Sequence, residues 1–243
     1  MSVSSSPASA PSPRTSVRVA DRGVYDRAAI DAILDEALIC HVGFVADGQP
    51  FVMPTIHARI DDRLYVHGAA ATRMLRVMRS GAPVCVTATL LDGLVMARSA
   101  FHHSMNYRSA VVLGTAVEVT DAEEKLAVFR AIVEHVAPGR WADCRRPSSK
   151  EFARTRVLSL PISEASAKVR SGPPVDDEDD YALGVWAGEI PLRLTALPPI
   201  DDPALPAGIP PPPYAVRYER DPRPSESGAP ARAVIDCGAA RPA

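Results

Sequence analysis

The segment from Tyr65 to Met74 combines residue types that suit the binding of an anion. An apolar strand ends here, small residues turn the chain, and Thr72 and Arg73 begin a predicted helix. The first N–H groups of a helix lack partners inside it, and the helix dipole favours a negative charge there. Arg73 adds a forked cation that suits phosphate. The sequence therefore predicts a phosphate site, although an ordinary surface helix with an incidental arginine has the same pattern.

A second candidate lies in the apolar segment 50–60, where Pro54 interrupts a predicted strand. Proline removes a donor from the strand ladder and is typical of an edge strand or a bulge. Such a place can expose backbone groups and the hydroxyl group of Thr55 to a flat ligand. The alternative interpretation is an irregular edge strand that binds nothing.

The third candidate is a polar and aromatic segment between two apolar strands, FHHSMNYRS at residues 101–109. Its asparagine, tyrosine and serine side chains can hydrogen-bond to a heterocycle, and burying them without a partner would be costly. His102 and His103 also suggest a metal. Neighbouring side chains on a strand point to opposite faces, and the chain has no HxH or HExxH spacing, so we predict no metal site.

The motifs of several large enzyme classes are absent. The chain has no GxSxG, GxGxxG or GxxxxGK[ST] sequence, which argues against a nucleophile elbow, a Rossmann fingerprint and a P-loop. A Ser-His-Asp arrangement stays open from composition alone. The four cysteines form no CxxC pair, and Cys40 and Cys85 lie in apolar runs typical of buried free thiols. We therefore expect a cytoplasmic protein.

Composition limits the class of protein further. The 243 residues include 27 basic and 29 acidic side chains, for a net charge of −2, and 47% are hydrophobic. These values predict a globular protein with a sizeable core and argue against a dedicated nucleic-acid binder, which would be basic. No apolar run has the length of a membrane span, and the first residues do not resemble a signal peptide.

The chain divides into three predicted parts. Residues 1–17 read as a disordered tail rich in serine, proline and alanine, and residues 18–195 as the folded domain. The remainder, 196–243, begins with eight prolines in 196–213 and is predicted to be extended or irregular. Within the domain, the acidic run 176–180 is predicted to be solvated.

Hydrophobic periodicity predicts a mainly β protein with peripheral helices. The predicted strands are 38–45, 50–60, 63–68, 84–91, 94–101, 107–119 and 157–170. The predicted tight turns are Asp47-Gly48, Asp61-Asp62 and Asp92-Gly93. Because the connections are too short for parallel crossovers, we expect an antiparallel barrel of six to seven strands.

Four helices surround these strands in the prediction. They lie at 26–37, with Asp26 as cap, at 70–79, from Thr120 to about residue 137, and near 148–154. Thr120 and Glu123 have the spacing of a capping box. Four apolar residues of that helix share one predicted face: Leu126, Phe129, Val133 and Val136.

Four longer stretches carry a resemblance to a known family. They are CHVGFVADGQPFVMPT, RLYVHGAAATRML, VCVTATLLDGLVMARSAFHHSMNYRSAVVLG and LPISEASAKVRSGPP. Together they resemble pyridoxamine 5′-phosphate oxidase-like proteins that bind flavin nucleotides, over about residues 18–195. The resemblance implies a split β-barrel that binds FMN, usually as a homodimer with the flavin at the subunit interface.

The resemblance also implies positions for the flavin, which coincide with the three candidates above. It places the phosphate near His67, Gly68, Thr72, Arg73 and Met74. It places the ring against Met53, Pro54 and Thr55 and near Asn106, Tyr107, Arg108 and Ser109. His57 stands where pyridoxamine phosphate oxidases proper commonly have a basic residue, and their basic substrate cluster is not evident. The chain is more similar to the branch related to nitroimidazole-resistance-type reductases.

These features lead to three functional hypotheses. In the first, the protein is an FMN-dependent oxidoreductase that passes electrons from a donor such as NAD(P)H to a small acceptor such as a nitro compound. In the second, the same barrel is a non-enzymatic carrier of flavin, deazaflavin F420 or haem. In the third, it is an interaction protein whose site has decayed.

Three features of these hypotheses stay open. His41 is a candidate catalytic residue near the flavin, or a core histidine bonded to the backbone. In the haem alternative, His41, His102 or His103 would be the axial ligand. Trp186 could be a lid that stacks on the flavin, or a packing residue.

Overall fold

The structure, a computed structural model, describes residues 12–219 of the chain. The strands in this range are β1 (Gly23–Val24), β2 (Ile39–Ala46), β3 (Gln49–Ile60), β4 (Arg63–Ala69), β5 (Pro83–Met96), β6 (Ser104–Thr115), β7 (Val117–Glu118), β8 (Thr155–Pro161), β9 (Glu164–Arg170) and β10 (Gly188–Pro191). The α-helices are α1 (Arg27–Glu36), α2 (Arg73–Arg79), α3 (Ala122–Val136), α4 (Arg140–Asp143), α5 (Ser149–Arg154) and α6 (Pro213–Val216). Two 3₁₀ helices are Ala20–Arg22 and Glu178–Ala182.

The strands form one open antiparallel sheet in the order β1-β9-β6-β5-β2-β3-β4-β8-β7, with β10 added to β5. β3 pairs with β2 along its first eight residues and with β4 along its last four. This arrangement is that of a split barrel, so the predicted fold class is confirmed. The additional strands β1, β7 and β10 are too short to give a periodic signal in the sequence.

The core lies on the inner face of the curved sheet. Val42, Val86 and Val112 share one register row across β2, β5 and β6, and all three are fully buried. Leu34 of α1 and Leu75 of α2 pack into the same cluster. Because side chains alternate along a strand, the odd-numbered residues of β2, such as His41, face outward instead.

Local signals predicted the first helix and the first hairpin correctly. Asp26 caps α1 by accepting a hydrogen bond from the Ala29 amide at 3.0 Å. Asp47 and Gly48 both have positive φ, at 50° and 75°, as the turn between β2 and β3 requires. This turn fixes the register between β2 and β3.

The predicted turn at Asp92-Gly93 is wrong. β5 continues from Pro83 to Met96, with a register shift between Leu91 and Gly93. A two-residue hairpin turn of the predicted kind needs positive φ at its central residues, and neither Asp92 nor Gly93 has it. Asp92 is instead the extra residue of a β-bulge, and the chain reverses later, between β5 and β6.

The predicted cap of α3 is displaced by one residue. Asp121, not Thr120, is the N-cap, and its carboxylate accepts the Glu124 amide hydrogen at 2.7 Å. Both positions carry an oxygen and both are followed three residues later by glutamate, so the sequence pattern alone does not separate them. The helix begins where its buried face meets the sheet.

The buried face of α3 also differs from the predicted one. Val128 and Ile132 pack on the sheet, together with the buried stem of Lys125. Leu126 and Val136 are exposed, by 42% and 36%. The amphipathic pattern allows two neighbouring faces, and the packing of β3, β4 and β8 beneath the helix selects between them.

The predicted strand 157–170 is two strands that belong to different parts of the sheet. β8 ends at Pro161 and pairs with β4, whereas β9 begins at Glu164 and pairs with β6. The two residues between them carry the chain from one part to the other. Pro161 therefore marks the end of a strand and not an irregularity within one.

The ends of the described range are partly attached to the domain. Ser12 and Arg14, from the predicted tail, hydrogen-bond to Glu164, while residues 193–212 form no helix or strand. The predictions of disorder for residues 1–11 and for the last twenty residues lie outside the described range, as does Cys237. Between residues 12 and 219, no helix has the length and apolar character needed to cross a membrane.

Candidate functional site

The predicted phosphate segment lies where β4 ends and α2 begins. Thr72 is the N-cap of α2, but its hydroxyl group donates back to the Ala69 carbonyl at 2.9 Å and caps no amide. The Arg73 guanidinium lies 4.4 Å from the centroid of the Phe51 ring. No carboxylate in residues 12–219 forms a salt bridge with Arg73. This cation is therefore held in place by stacking and is available to an anion.

His67 and Gly68 complete this segment from the strand side. The Nδ1 atom of His67 is enclosed and has no hydrogen-bond partner among the described residues. Burial lowers the pKa of His67 below its usual value, so the ring is neutral near pH 7. A Cβ atom on Gly68 would lie 3.2 Å from the Leu75 side chain, which explains why glycine occupies the close contact between strand and helix.

The second candidate, residues 53–55, lies on a free edge of the sheet. Among residues 12–219, the first half of β3 pairs only with β2, so Pro54 is on an edge strand, as predicted. By register, Pro54 faces outward opposite His41, whereas Met53 and Thr55 face inward opposite Val42 and Cys40. Met53 is still 46% exposed because it overhangs the open edge. Phe51 on the same strand brings this edge beside Arg73.

The third candidate does not meet the other two within one chain. Residues 106–109 lie on β6, which is separated from β3 by β5 and β2. Three inter-strand spacings amount to about 14 Å. Tyr107 and Ser109 face outward, on the same side of the sheet as His41. The Ser109 hydroxyl group donates to the Lys168 carbonyl at 3.2 Å.

Arg108 faces the opposite side and forms a clamp with two carboxylates. Its guanidinium donates to Glu36 at 2.5 and 2.8 Å and to Asp92 at 2.9 Å twice. The hydrogen bonds to Asp92 and Glu36 raise the pKa of Arg108 above its ordinary value. We call this group, Arg108 with Glu36 and Asp92, the carboxylate clamp. It joins the end of α1 to the bulge of β5 and to β6.

Asn106 belongs to a second internal network. Its amide donates to the Glu189 carboxylate at 2.6 Å and to the Gly172 carbonyl at 3.2 Å, and its oxygen accepts from Arg170. Glu189 lies on β10, so this network attaches β10 to β6 and β9. The partners that the buried polar segment requires thus come from the chain itself.

The outward positions of β2 and β3 form an uncharged, largely apolar surface. We call it the outer face; its eight residues are Ile39, His41, Gly43, Val45, Pro50, Val52, Pro54 and Ile56. Val45 and Val52 are 57% and 65% exposed. His41 is the one titratable side chain of this face, and it is exposed. It makes no hydrogen bond or ion pair with any residue from 12 to 219.

The other histidines are placed differently. His57 is fully buried and bonds to the Leu34 carbonyl at 2.8 Å, while His135 bonds to the Ala37 carbonyl at 2.9 Å. His103 bonds to the Ser99 carbonyl at 3.0 Å. His102 lies 3.4 Å from the Asp177 carboxylate. His41 therefore does not match the core histidine that the sequence allowed as an alternative.

The prediction of a buried thiol is confirmed for Cys40 and wrong for Cys85. Cys40 is buried, and burial raises the pKa of its thiol to about 12, which makes it an inert core residue. Cys85 is only half-buried, because its register position places it on the outer side of β5 opposite Gly43. An apolar run alone does not reveal which of its residues face the core.

Sequence patterns did not identify the segment that runs from Asp176 to β10. Asp176, predicted to be solvated, is buried and accepts hydrogen bonds from the amides of Arg98 and Ser99 at 3.0 and 3.2 Å. The following residues reach β10, which lies on the same edge of β5 as β2. We call residues 176–191 the strap. Trp186, on the strap, is 65% exposed, and its ring lies against Gly188.

Comparisons with known proteins give a consistent result. The family model for pyridoxamine 5′-phosphate oxidase matches residues 26–169. The flavocytochrome Anf3 from Azotobacter vinelandii is 43% identical, with a TM-score of 0.82, over 87% of this chain and 99% of that one. The FAD- and haem-binding protein of Mycobacterium smegmatis is 37% identical, with a TM-score of 0.76, over 79% and 95%.

A third solved structure is more distant. A proposed 5-nitroimidazole antibiotic resistance protein from Bacteroides thetaiotaomicron is 25% identical, with a TM-score of 0.52, over 60% of this chain and 86% of that one. No curated protein matches the chain.

The carboxylate clamp leads to a stability prediction. The side chains of Glu36 and Asp92 are only 10% and 17% exposed, so Arg108→Ala leaves two largely buried charges without their guanidinium. We expect the free energy of unfolding to fall by about 3 kcal/mol or more. Arg79→Ala is the control, because its pair with Glu118 is more exposed and should cost less than about 1 kcal/mol. If urea unfolding shows an equal loss of stability in Arg108→Ala and Arg79→Ala, the stabilising role of the carboxylate clamp is contradicted.

Proposed function

This chain belongs to the pyridoxamine 5′-phosphate oxidase family, and from that membership we propose that it is a redox protein that binds both a flavin and a haem. The observation that carries the proposal is the outer face, an exposed uncharged surface with a single available imidazole. The comparisons support it, since the flavocytochrome and the FAD- and haem-binding protein match almost over their whole lengths. Oxidation of vitamin B6 compounds lacks this support, because His57 is a buried structural residue.

The flavin phosphate fits the segment around α2. Arg73 provides a cation that no carboxylate of residues 12–219 pairs with, and Arg76 lies one helical turn further on the same side and is also exposed. Thr72, Gly68 and the Met74 backbone are the neighbouring groups, and the neutral His67 ring offers hydrogen bonding without charge. Two cations one turn apart suit a diphosphate. We therefore propose FAD as the flavin, in preference to the FMN that the sequence resemblance implies.

The flavin ring would lie along the free edge of β3. Met53 offers a polarisable apolar contact there, Thr55 a hydroxyl group and Pro54 a rigid backbone without an N–H donor. Tyr107 and Ser109 lie too far along the sheet to reach the same ring from the same chain. Asn106 and Arg108 would shape the site indirectly, since their polar atoms are held by the clamp and by Glu189.

The haem fits the outer face. Its porphyrin needs a broad apolar surface, and its iron needs an imidazole that is not committed elsewhere. Val52, Ile56 and Ile39 provide the surface, and His41 is the imidazole with no partner among the described residues. His102 and His103 are less suitable, because each contacts a group of its own loop or of the strap.

A second copy of the chain completes the site in this proposal. The outer face carries exposed apolar side chains on two adjacent strands, at Ile39, Val45, Val52 and Ile56, and exposed apolar patches can mark protein–protein interaction sites. A symmetric partner packed against it would also bring Tyr107 and Ser109 of the partner toward the β3 edge of the first copy. We therefore propose a homodimer with both cofactors between the subunits.

When bound, the flavin supplies exchange between a two-electron donor and one-electron acceptors, and the haem supplies one-electron transfer. Arg73 and the edge of β3 would hold the flavin, and His41 with the outer face would hold the haem. NAD(P)H is the donor that we propose. The acceptor is a small molecule, and a nitro compound is one candidate, given the similarity to the nitroimidazole resistance protein.

Arg73→Ala tests the phosphate assignment. Loss of a charge-assisted contact costs about 1.5–3 kcal/mol, so flavin affinity should fall roughly 10- to 100-fold in a fluorescence titration. Arg130→Ala, which removes an exposed arginine from α3, should leave the affinity unchanged. Unaltered binding by Arg73→Ala would refute the assignment, and the mass of the chromophore released from the wild-type protein decides between FAD and FMN.

His41→Ala tests the haem. The wild-type protein should show flavin bands together with a Soret band after reconstitution with haem, and the variant should lose the Soret band of a histidine-ligated haem while keeping the flavin. His103→Ala is the matched control and should keep both. Loss of the Soret band on changing His102 or His103 would place the ligand in the loop between β5 and β6. A wild-type protein without any Soret band would refute haem binding.

Val52→Asp tests the dimer. A carboxylate in the middle of an apolar interface would be buried without a partner, at a cost of several kcal/mol. The variant should therefore elute as a monomer in size exclusion with light scattering, with reduced flavin content. Val175→Asp places the same charge at a valine that is 72% exposed outside the outer face and should stay dimeric. A wild-type monomer would contradict the proposal.

A further inference from the structure

We propose that His102, Asp177 and Asp180 form a binding site for a divalent transition-metal ion, with zinc as the best match. One nitrogen or oxygen atom from each side chain lies within 4.8 Å of the corresponding atoms of the other two. The site lies between the β5–β6 loop and the strap, away from the outer face and from α2. It is independent of the flavin and haem proposed above.

The positions of the two aspartates follow from the local helix. Asp177 is the N-cap of the 3₁₀ helix Glu178–Ala182, and the Asp180 amide bonds to the Asp177 carbonyl at 3.0 Å. In a 3₁₀ turn the side chains at i and i+3 eclipse one another. Both carboxylates therefore project on the same side of the strap, toward His102.

The distance between His102 and Asp177 matches that between two ligands of one metal ion. Two ligands bound to zinc at about 2.1 Å in tetrahedral geometry are about 3.4 Å apart. His102 Nε2 and the Asp177 oxygen are 3.4 Å apart, and no hydrogen bond joins them. An imidazole with two carboxylates is a donor set that suits first-row divalent ions better than calcium or magnesium. Exposure of Asp177 leaves room for water to complete the coordination.

The charges of the two aspartates provide a second argument. Asp177 and Asp180 point at the same place, yet no lysine or arginine among residues 12–219 forms a salt bridge with either of them. Two carboxylates this close repel each other unless a cation lies between them. A bound metal ion would supply that cation.

The surroundings hold both sides of the site in place. The buried Asp176 carboxylate ties the strap to the amides of Arg98 and Ser99, and the Arg98 guanidinium lies 4.8 Å from the centroid of the Tyr181 ring. On the other side, the backbone amide of His102 donates a hydrogen bond to the Ser99 carbonyl at 3.2 Å. The ligands are thus presented by two segments that are already joined, which lowers the entropy cost of binding.

The metal would act as a clasp on the strap. Ligands from the loop and from the strap would be joined through one ion, immediately before the residues that lead to β10. Because β10 carries Glu189 to Asn106, an ion at this site would reinforce the attachment of β10 to the barrel. The role is structural, and no electron transfer is assigned to the ion.

Equilibrium dialysis of the purified full-length protein against zinc, after treatment with EDTA, tests the site. We expect one tightly bound zinc per chain. His102→Gln and Asp177→Asn should each weaken binding by about 10- to 100-fold or more, since they remove ligands. Asp179→Asn is the matched control, because it removes the same charge from the same acidic run without removing a ligand. It should bind zinc as the wild type does, and so should His103→Gln.

A second measurement separates a clasp from general attraction to acidic residues. Zinc should slow chymotryptic cleavage in the exposed segment 181–186 of the wild type and of Asp179→Asn, but not of His102→Gln. The melting temperatures of all variants without zinc should agree, which shows that they fold. Absence of zinc binding, binding that survives His102→Gln, or an equal loss in Asp179→Asn would each overturn the proposal.

Discussion

One guanidinium group holds together three elements on which the rest of the barrel depends. Arg108 binds Glu36 at the end of α1 and Asp92 at the bulge of β5, and it lies itself on β6. The bulge brings Gly93 close to the strap: a Cβ atom there would lie 3.1 Å from the Ile190 carbonyl. Glycine at this position lets β10 approach β5. The carboxylate clamp therefore fixes the bulge, and the bulge fixes the strap.

The clamp also decides which side of the sheet can bind a ligand. Asn106 and Arg108 alternate with Tyr107 and Ser109 along β6, so the two pairs face opposite sides. The first pair has its polar atoms engaged by carboxylates, and the second lies on the same side as His41. The chemistry that is free for a cofactor is thus concentrated on the outer side of β2, β3 and β6 and beside α2.

The sequence predicted those features that short-range interactions determine. Asp26 begins a helix because its side chain accepts a hydrogen bond from an amide three residues later. Asp47-Gly48 makes a turn because both residues adopt the positive φ that the turn needs. Asp92-Gly93 is nearly the same signal, and it fails because Arg108, sixteen positions away, and β10 hold the chain in a bulge. Asp176 looks like its solvated neighbours in an acidic run, and only the amides of Arg98 and Ser99 distinguish it. Residue types and the family resemblance indicated the same three candidate segments, but neither revealed their separation across the sheet.

Two prolines protect the free edge of β3 from the addition of another strand. An unpaired edge invites another strand to add to it, and Pro50 and Pro54 prevent this because proline has no N–H to donate. The same two residues leave the face of the strand open. Arg73, stacked on Phe51, lies beside this edge with its charge unpaired among the described residues. A strand protected from other strands but open to a flat anion is suited to a flavin nucleotide. The need to exclude other strands while leaving the face of β3 open, more than any single contact, connects the edge prolines to function.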